Sequence, residues 1–218
     1  MILVAAHSNK AYTMGMFKKS SLQLKKTIPI IILVAGIIGL VCSLALGIEK
    51  MALLKNPSEN LICNLNPVIS CGSAMQSKQA SFLGVDNSLL GTAAFAALAT
   101  IGFTLLAGAK YKKWFWQLLG VGGLVGLLAS HFLIFTSLYI INTLCPFCMV
   151  IWVTTIVFGV YITIYNIEAG HLTPPKALRG IAAFVRRYHI ETIVTWLLLI
   201  AAFILYRFWY YYGPLLGF

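Results

Sequence analysis

Four of the five cysteines in the chain form two pairs, Cys63 with Cys71 in a polar stretch and Cys145 with Cys148 at the edge of an apolar one. Paired sulfurs do two-electron chemistry. A thiolate attacks a disulfide sulfur and the bond moves, so two pairs that meet can hand electrons from one to the other. In Cys145-Pro146-Phe147-Cys148 the spacing lets the cysteines close a small ring. A helix starting there would favour a thiolate through its exposed amides and the positive end of its dipole. Pro146 suits the first helical position, since its missing N–H would have no partner there, and Asn142 or Thr143 is expected to cap the helix. Cys63 and Cys71 are joined by Asn64-Leu65-Asn66-Pro67-Val68-Ile69-Ser70, which reads as a loop able to move a thiol. Two other chemistries use the same atoms: a plain disulfide staple, and a zinc ion on four thiolates. The seven-residue gap between Cys63 and Cys71 is wide for a zinc knuckle, and an oxidising compartment favours disulfides. No metal is therefore expected, and the runner-up function is a structural membrane protein with a stapled or zinc-bound cysteine cluster.

The elements that must position these sulfurs follow from composition. Of the 218 residues 60% are hydrophobic and 10% charged, and the mean hydropathy is +0.90. Such a chain belongs in a bilayer, where about 20 apolar residues make one spanning helix. Stretches near residues 28–48, 88–109, 115–140, 145–166 and 192–212 reach that length. Backbone in lipid must satisfy its own hydrogen bonds, and no long alternating strand pattern points to a barrel. The expected class is all-α, an integral membrane protein with five transmembrane helices.

Sixteen Lys and Arg against five Asp and Glu give a net charge of +11. Nucleic acid is not the expected partner, because the cations punctuate the spans. Lys10, Lys18, Lys19, Lys25 and Lys26 precede the first; Lys110, Lys112 and Lys113 separate the second and third; Lys176, Arg179, Arg186 and Arg187 separate the fourth and fifth. The stretch 49–87 balances Lys50, Lys55 and Lys78 with Glu49, Glu59 and Asp86, and 141–144 is uncharged. The positive-inside rule then puts the N-terminus in the cytoplasm and both cysteine pairs outside.

The expected organisation is a basic cytoplasmic segment 1–27, a four-helix unit 28–166 with an outer loop 49–87, a cytoplasmic connector 167–191, and a fifth span with a short outer tail, 192–218. The first apolar run is too long for a cleaved signal core and reads as a signal anchor. Pro174 and Pro175 break the connector before a basic amphipathic stretch, 177–188, that suits a membrane surface. Ala35, Gly39, Ser43 and Gly47, and likewise Gly122, Gly126 and Ser130, recur at spacings that let helices approach. Cys42, inside the first span, reads as an inert apolar group. His131 is either a proton relay or a hydrogen-bonded core histidine. Phe82, Phe95, Phe135, Phe147 and Trp152 could wall an apolar pocket.

With these motifs in view, the chain resembles bacterial members of the vitamin K epoxide reductase family over residues 28 to about 166. The resemblance rests on Cys63 and Cys71 with their spacing, Ser77 six residues beyond, Asn87-Ser88-Leu89-Leu90-Gly91 at the second span, and the Cys145–Cys148 motif. It implies a bundle of four helices around a quinone, ubiquinone or menaquinone, in the bacterial inner membrane. It also implies roles: Cys148 beside the quinone, Cys145 exchanging with Cys71, and Cys63 facing a separate thioredoxin-like disulfide oxidase. Ser77 and Asn87 would lie near the quinone head group, where a hydroxyl and a carboxamide can donate to a carbonyl; their plainer role is helix capping. Trp152 stands where vertebrate members that reduce the epoxide carry tyrosine, so reduction of the epoxide itself is not expected.

Overall fold

The computed structural model describes residues 2–56, 61–82 and 84–215, with only the backbone described for 2–23, 82 and 215. The side chains of Lys10, Lys18, Lys19 and Phe82, together with Glu59 and the end of the tail, thus lie outside the described residues. Helix α1 runs Ile2–Lys55, and α2, Cys71–Gln76, is short. Strands β1 (Ser81–Phe82) and β2 (Val85–Asp86) form a small antiparallel pair that hydropathy does not reveal. Helices α3 (Asn87–Leu106), α4 (Lys113–Thr136) and α5 (Pro146–Glu168) follow. After the connector come α6 (Arg179–Arg187), α7 (His189–Arg207) and α8 (Trp209–Leu215). Among the described residues five helices are long and apolar enough to cross a membrane, on α1, α3, α4, α5 and α7. The all-α class is therefore what the chain adopts.

Helix ends depart from the apolar runs for physical reasons. Hydropathy marks the oily thickness, but α1 continues to Lys55 because Leu53 is buried beside Leu61, Cys63 and Cys71. The non-helical part of the outer loop is accordingly shorter than 49–87. Helix α4 passes into one turn of π-helix, Ser137–Ile141, which ends at Asn142 in the left-handed region with φ 57°. Asn tolerates that conformation better than most residues. Asn142 and Thr143 are thus not the cap of α5; Cys145 is, with its sulfur 3.4 Å from the Cys148 amide and Pro146 in the first turn. Asn87 does not cap α3 either: Asp86 does, accepting from the Ser88 amide at 3.0 Å.

Helix α1 packs on α3 and α5, α4 on α5, and α7 on the outside of α5. Close approach is carried by glycines whose spacing only partly matches the expected rows. A Cβ on Gly36 would lie 2.6 Å from the Ala99 Cα, and one on Gly102 2.6 Å from the Leu33 amide nitrogen, so α1 and α3 meet backbone to backbone. On α4 Gly123 faces Ile162 at 2.9 Å and Gly126 faces Thr155 at 3.1 Å, whereas Gly122 meets nothing within 4 Å. Gly126 and the buried Ser130 thus keep their expected places in the small-residue row of α4, and Gly123 takes that of Gly122.

One end of the bundle gathers Leu24, Val185 and Ile193, next to Lys25, Lys26, Arg186 and Arg187. The other end, about 27 Å along α1 from Ile28, gathers Leu46, Cys63, Cys71 and Cys145. Both cysteine pairs therefore share the end opposite the basic connectors. The connector itself forms as expected, with Ile181 and Phe184 exposed along α6 among its arginines.

Gly102→Ala should lower the thermal midpoint in detergent, with a destabilisation of about 1–3 kcal/mol from overpacking. Gly122→Ala, made in parallel, should leave the midpoint within experimental scatter.

Candidate functional site

The loop that carries Cys63 and Cys71 is tied down by its own amides. The Asn66 side-chain oxygen accepts from the Val68 and Ile69 amides at 2.9 and 2.7 Å. Asn64 accepts from the Gly72 amide at 3.2 Å and from the Ser70 hydroxyl at 2.9 Å, and Ser70 caps α2. A short parallel pairing then joins the loop to the start of α5: the Ser70 amide donates to the Leu144 carbonyl at 2.9 Å and the Leu144 amide to the Val68 carbonyl at 2.8 Å. The next residues along each strand are Cys71 and Cys145. Their sulfurs lie 3.2 Å apart.

Cys63 and Cys71 form a disulfide, while Cys145 and Cys148 are free thiols. Cys71 is 0% and Cys145 1% exposed. The loop cysteines are thus less mobile and more enclosed than Asn, Pro and Ser imply, because the same polar side chains are spent on the loop's backbone. The Cys145 thiol is pushed below its ordinary pKa, first by a hydrogen bond from the Cys148 side chain. Burial opposes the shift, and the Cys148 and Phe147 amides at the head of α5 add to it.

Beside the inner pair lies a cavity of about 590 Å³, counted to its open side. Leu46, Met75, Leu133, Ile141 and Trp152 give it apolar walls, and Cys145 and Cys148 lie on its lining. Ser77 and Asn87 line it too. The Ser77 hydroxyl donates to the Ala74 carbonyl at 2.8 Å, and the Asn87 amide nitrogen to the Gln79 carbonyl at 2.8 Å, which leaves each an acceptor and Asn87 a second N–H. Two buried donors on the lining, the Thr136 hydroxyl and the Trp152 indole N–H, have no partner among the described residues. An apolar space with unpartnered donors fits a flat, largely apolar molecule bearing carbonyl oxygens.

The model of the vitamin K epoxide reductase family matches residues 30–163, more than half of the chain. The chain belongs to the vitamin K epoxide reductase family. No curated protein matches it. Family membership, the five spans and the disulfide make this vitamin K epoxide reductase family protein a multi-pass membrane oxidoreductase acting on disulfides.

All six residues expected to carry the chemistry, Cys63, Cys71, Cys145, Cys148, Ser77 and Asn87, lie at this end of the vitamin K epoxide reductase fold. Thr136 escaped sequence reasoning, since one threonine in an apolar helix gives no signal. So did the ion pair between Lys50 and Asp86, which needs the extension of α1 to bring Lys50 across. His131 is not on the cavity: Nδ1 donates to the Leu127 carbonyl at 2.8 Å and Nε2 accepts from the Trp196 indole at 3.0 Å, so it is a neutral link between α4 and α7. Cys42 is buried in α1, as an inert apolar group would be. Of the aromatics named above, Trp152 lines the cavity, Phe95 covers Gly39, and Phe135 is exposed against Tyr139.

Burial alone would raise the Asp86 carboxyl, but hydrogen bonds from Lys50 and Ser88 outweigh it and hold the pKa below its ordinary value. The stability this contributes is complete above about pH 4, where the unfolded carboxylate is also ionised, and is lost as pH falls through the lower folded value. Asp86→Asn should flatten that acid limb in thermal melts recorded against pH. A second expectation concerns the sulfurs. With Cys63 and Cys148 both changed to serine, mild oxidation should join Cys71 to Cys145, detected by non-reducing peptide mass mapping. The Cys63→Ser, Cys145→Ser protein should give far less of any disulfide.

Proposed function

We propose that the protein reoxidises a soluble thioredoxin-like disulfide carrier outside the cytoplasm and passes two electrons to a membrane quinone, ubiquinone or menaquinone, so supporting disulfide formation. The observation that carries the reading is the 3.2 Å separation of Cys71 and Cys145 sulfurs, one in a disulfide and the other a thiol. A reduced carrier attacks Cys63, releasing Cys71 as thiolate, and the carrier's second thiol then frees Cys63 and leaves oxidised. When the inner pair is a disulfide, Cys71 attacks Cys145 and Cys148 departs as thiolate. Cys63 next attacks Cys71, restoring the loop disulfide and releasing Cys145. The Cys148 and Phe147 amides at the head of α5 favour Cys145 as the departing thiolate in that step. A joined loop pair with two inner thiols is the arrangement that this sequence would leave at its end.

As the Cys145 and Cys148 thiols close to a disulfide they give up two electrons and two protons, for which a quinone, when bound, would be the acceptor. Ser77 and Asn87 are the residues that would meet its head group, and Leu46, Leu133 and Trp152 those that would flank its ring. Burial of Cys71 and Cys145 keeps competing thiols and water from the exchange. Cys63 itself is 4% exposed, but its neighbours Ile62 and Leu65 are 82% and 68% exposed, an apolar surface beside the loop disulfide that supports a protein docking there. The basic connectors at the opposite end support a cytoplasmic N-terminus in a bacterial inner membrane.

Purified protein, a reduced thioredoxin-like substrate and a short-chain quinone should give quinone loss by absorbance. Cys148→Ala should abolish that loss while the loop disulfide still accepts electrons from the carrier, followed by thiol alkylation. Cysteines that never change oxidation state under either condition would mean a structural staple and overturn the reading.

A further inference from the structure

We propose that Thr136 is a quinone-positioning residue whose hydroxyl donates a hydrogen bond to a carbonyl oxygen of the acceptor in the cavity beside Cys148. This rests on the quinone reading given above and adds a residue to it.

A threonine inside a helix ordinarily turns its hydroxyl back onto the carbonyl four residues earlier. Thr92, Thr100, Thr104, Thr154, Thr155, Thr163 and Thr192 all do so here, at 2.7–3.1 Å. Thr136 does not. Its side chain is 1% exposed, and its hydroxyl has no partner among the described residues. It is the last residue of α4, where the chain changes to a turn of π-helix, Ser137–Ile141. Such turns alter the register of the backbone acceptors around them.

A buried hydroxyl without a partner is unfavourable in a protein interior unless a ligand or water completes it. This one lies on the lining of the cavity that also holds Cys148 and Trp152. Ser77 is a weaker candidate donor, because its single hydroxyl hydrogen is already given to the Ala74 carbonyl. Thr136 has its hydrogen uncommitted. Ligands of the class that fits are flat molecules carrying a carbonyl acceptor, with the ring against Leu133 and Trp152 and an oxygen toward Thr136.

The test is equilibrium binding of a short-chain benzoquinone by calorimetry, on full-length protein with both cysteine pairs oxidised so that no turnover occurs. Thr136→Val keeps the shape and removes the hydroxyl. It should raise Kd about tenfold, the usual consequence of losing a hydrogen bond to a buried acceptor. Thr136→Ser keeps the hydroxyl and should bind within about twofold of the unaltered protein. Reduction of the loop disulfide by a soluble dithiol should proceed at the same rate in both variants, which also shows that they are folded. Unchanged binding by Thr136→Val would overturn the inference while leaving the quinone reading intact. Equal losses in Thr136→Val and Thr136→Ser would overturn it as well, since packing and not the hydroxyl would then be responsible. If the unaltered protein takes up no quinone, the proposed acceptor itself fails, and this inference with it.

Discussion

A pair of backbone hydrogen bonds between the outer loop and Leu144 is the constraint on which the site depends. Ser70 and Val68 clasp Leu144 from a loop that sequence places more than seventy residues away. Because the pairing is parallel, advancing along both strands brings Cys71 and Cys145 to the same level. Thiol exchange needs one sulfur to reach another directly, and a freely moving loop would reach Cys145 only part of the time. Asn64, Asn66 and Ser70 hold the loop in the shape that presents those donors and acceptors. Their polarity is therefore structural before it is anything else.

The membrane helices supply what the loop cannot. Helix α5 offers Cys145 as its own cap, so the sulfur that meets the loop is also the group that accepts from the Cys148 amide. Extension of α1 beyond its apolar run puts Leu53 against the cysteine cluster and carries Lys50 to Asp86, the cap of α3. One helix overrun thus ties the outer loop, the second span and the cavity together. The glycine contacts of α1 with α3 keep these helices close enough for that arrangement to hold.

Much of this was legible in the residues. Apolar runs located the spans, cation placement marked the end opposite the cysteines, and the cysteine pairs, Ser77 and Asn87 named residues that the fold brings to one end of the bundle. What was not legible depends on atoms that come together only in three dimensions. The cap of α5 was expected at Asn142 or Thr143 on preference, but the π turn consumes Asn142 and hands the position to Cys145. Asn87 loses the cap of α3 to its neighbour Asp86, whose carboxylate also pairs with Lys50. On α4 Gly126 and Ser130 face inward as their spacing implies, but Gly123 and not Gly122 meets α5, because which of two adjacent glycines touches the partner is set by the rotation of the helix about its axis. His131 illustrates the same point: nothing in the third span says that Trp196 of the fifth will occupy its second nitrogen.

Buried polar groups in the bundle meet two different fates. Many are satisfied by protein alone: Asn166 donates to the Trp116 carbonyl at 2.9 Å, His131 links α4 to α7, and seven helical threonines turn inward on their own backbone, whereas among the described residues the Ser43 hydroxyl and the Asn166 side-chain oxygen stay open away from the cavity. Such satisfaction stabilises a helix pair in lipid, because an open donor there has no water to fall back on. On the cavity lining Thr136 and Trp152 carry open donors, on walls that also hold the inner thiols. A packing-only bundle gains nothing from leaving donors open, whereas a site that must bind a carbonyl compound and then release its reduced form gains from donors that no protein group competes for. What sets Thr136 and Trp152 apart from the other open buried groups is therefore their place on the cavity wall, beside Cys145 and Cys148, where a ligand can reach them.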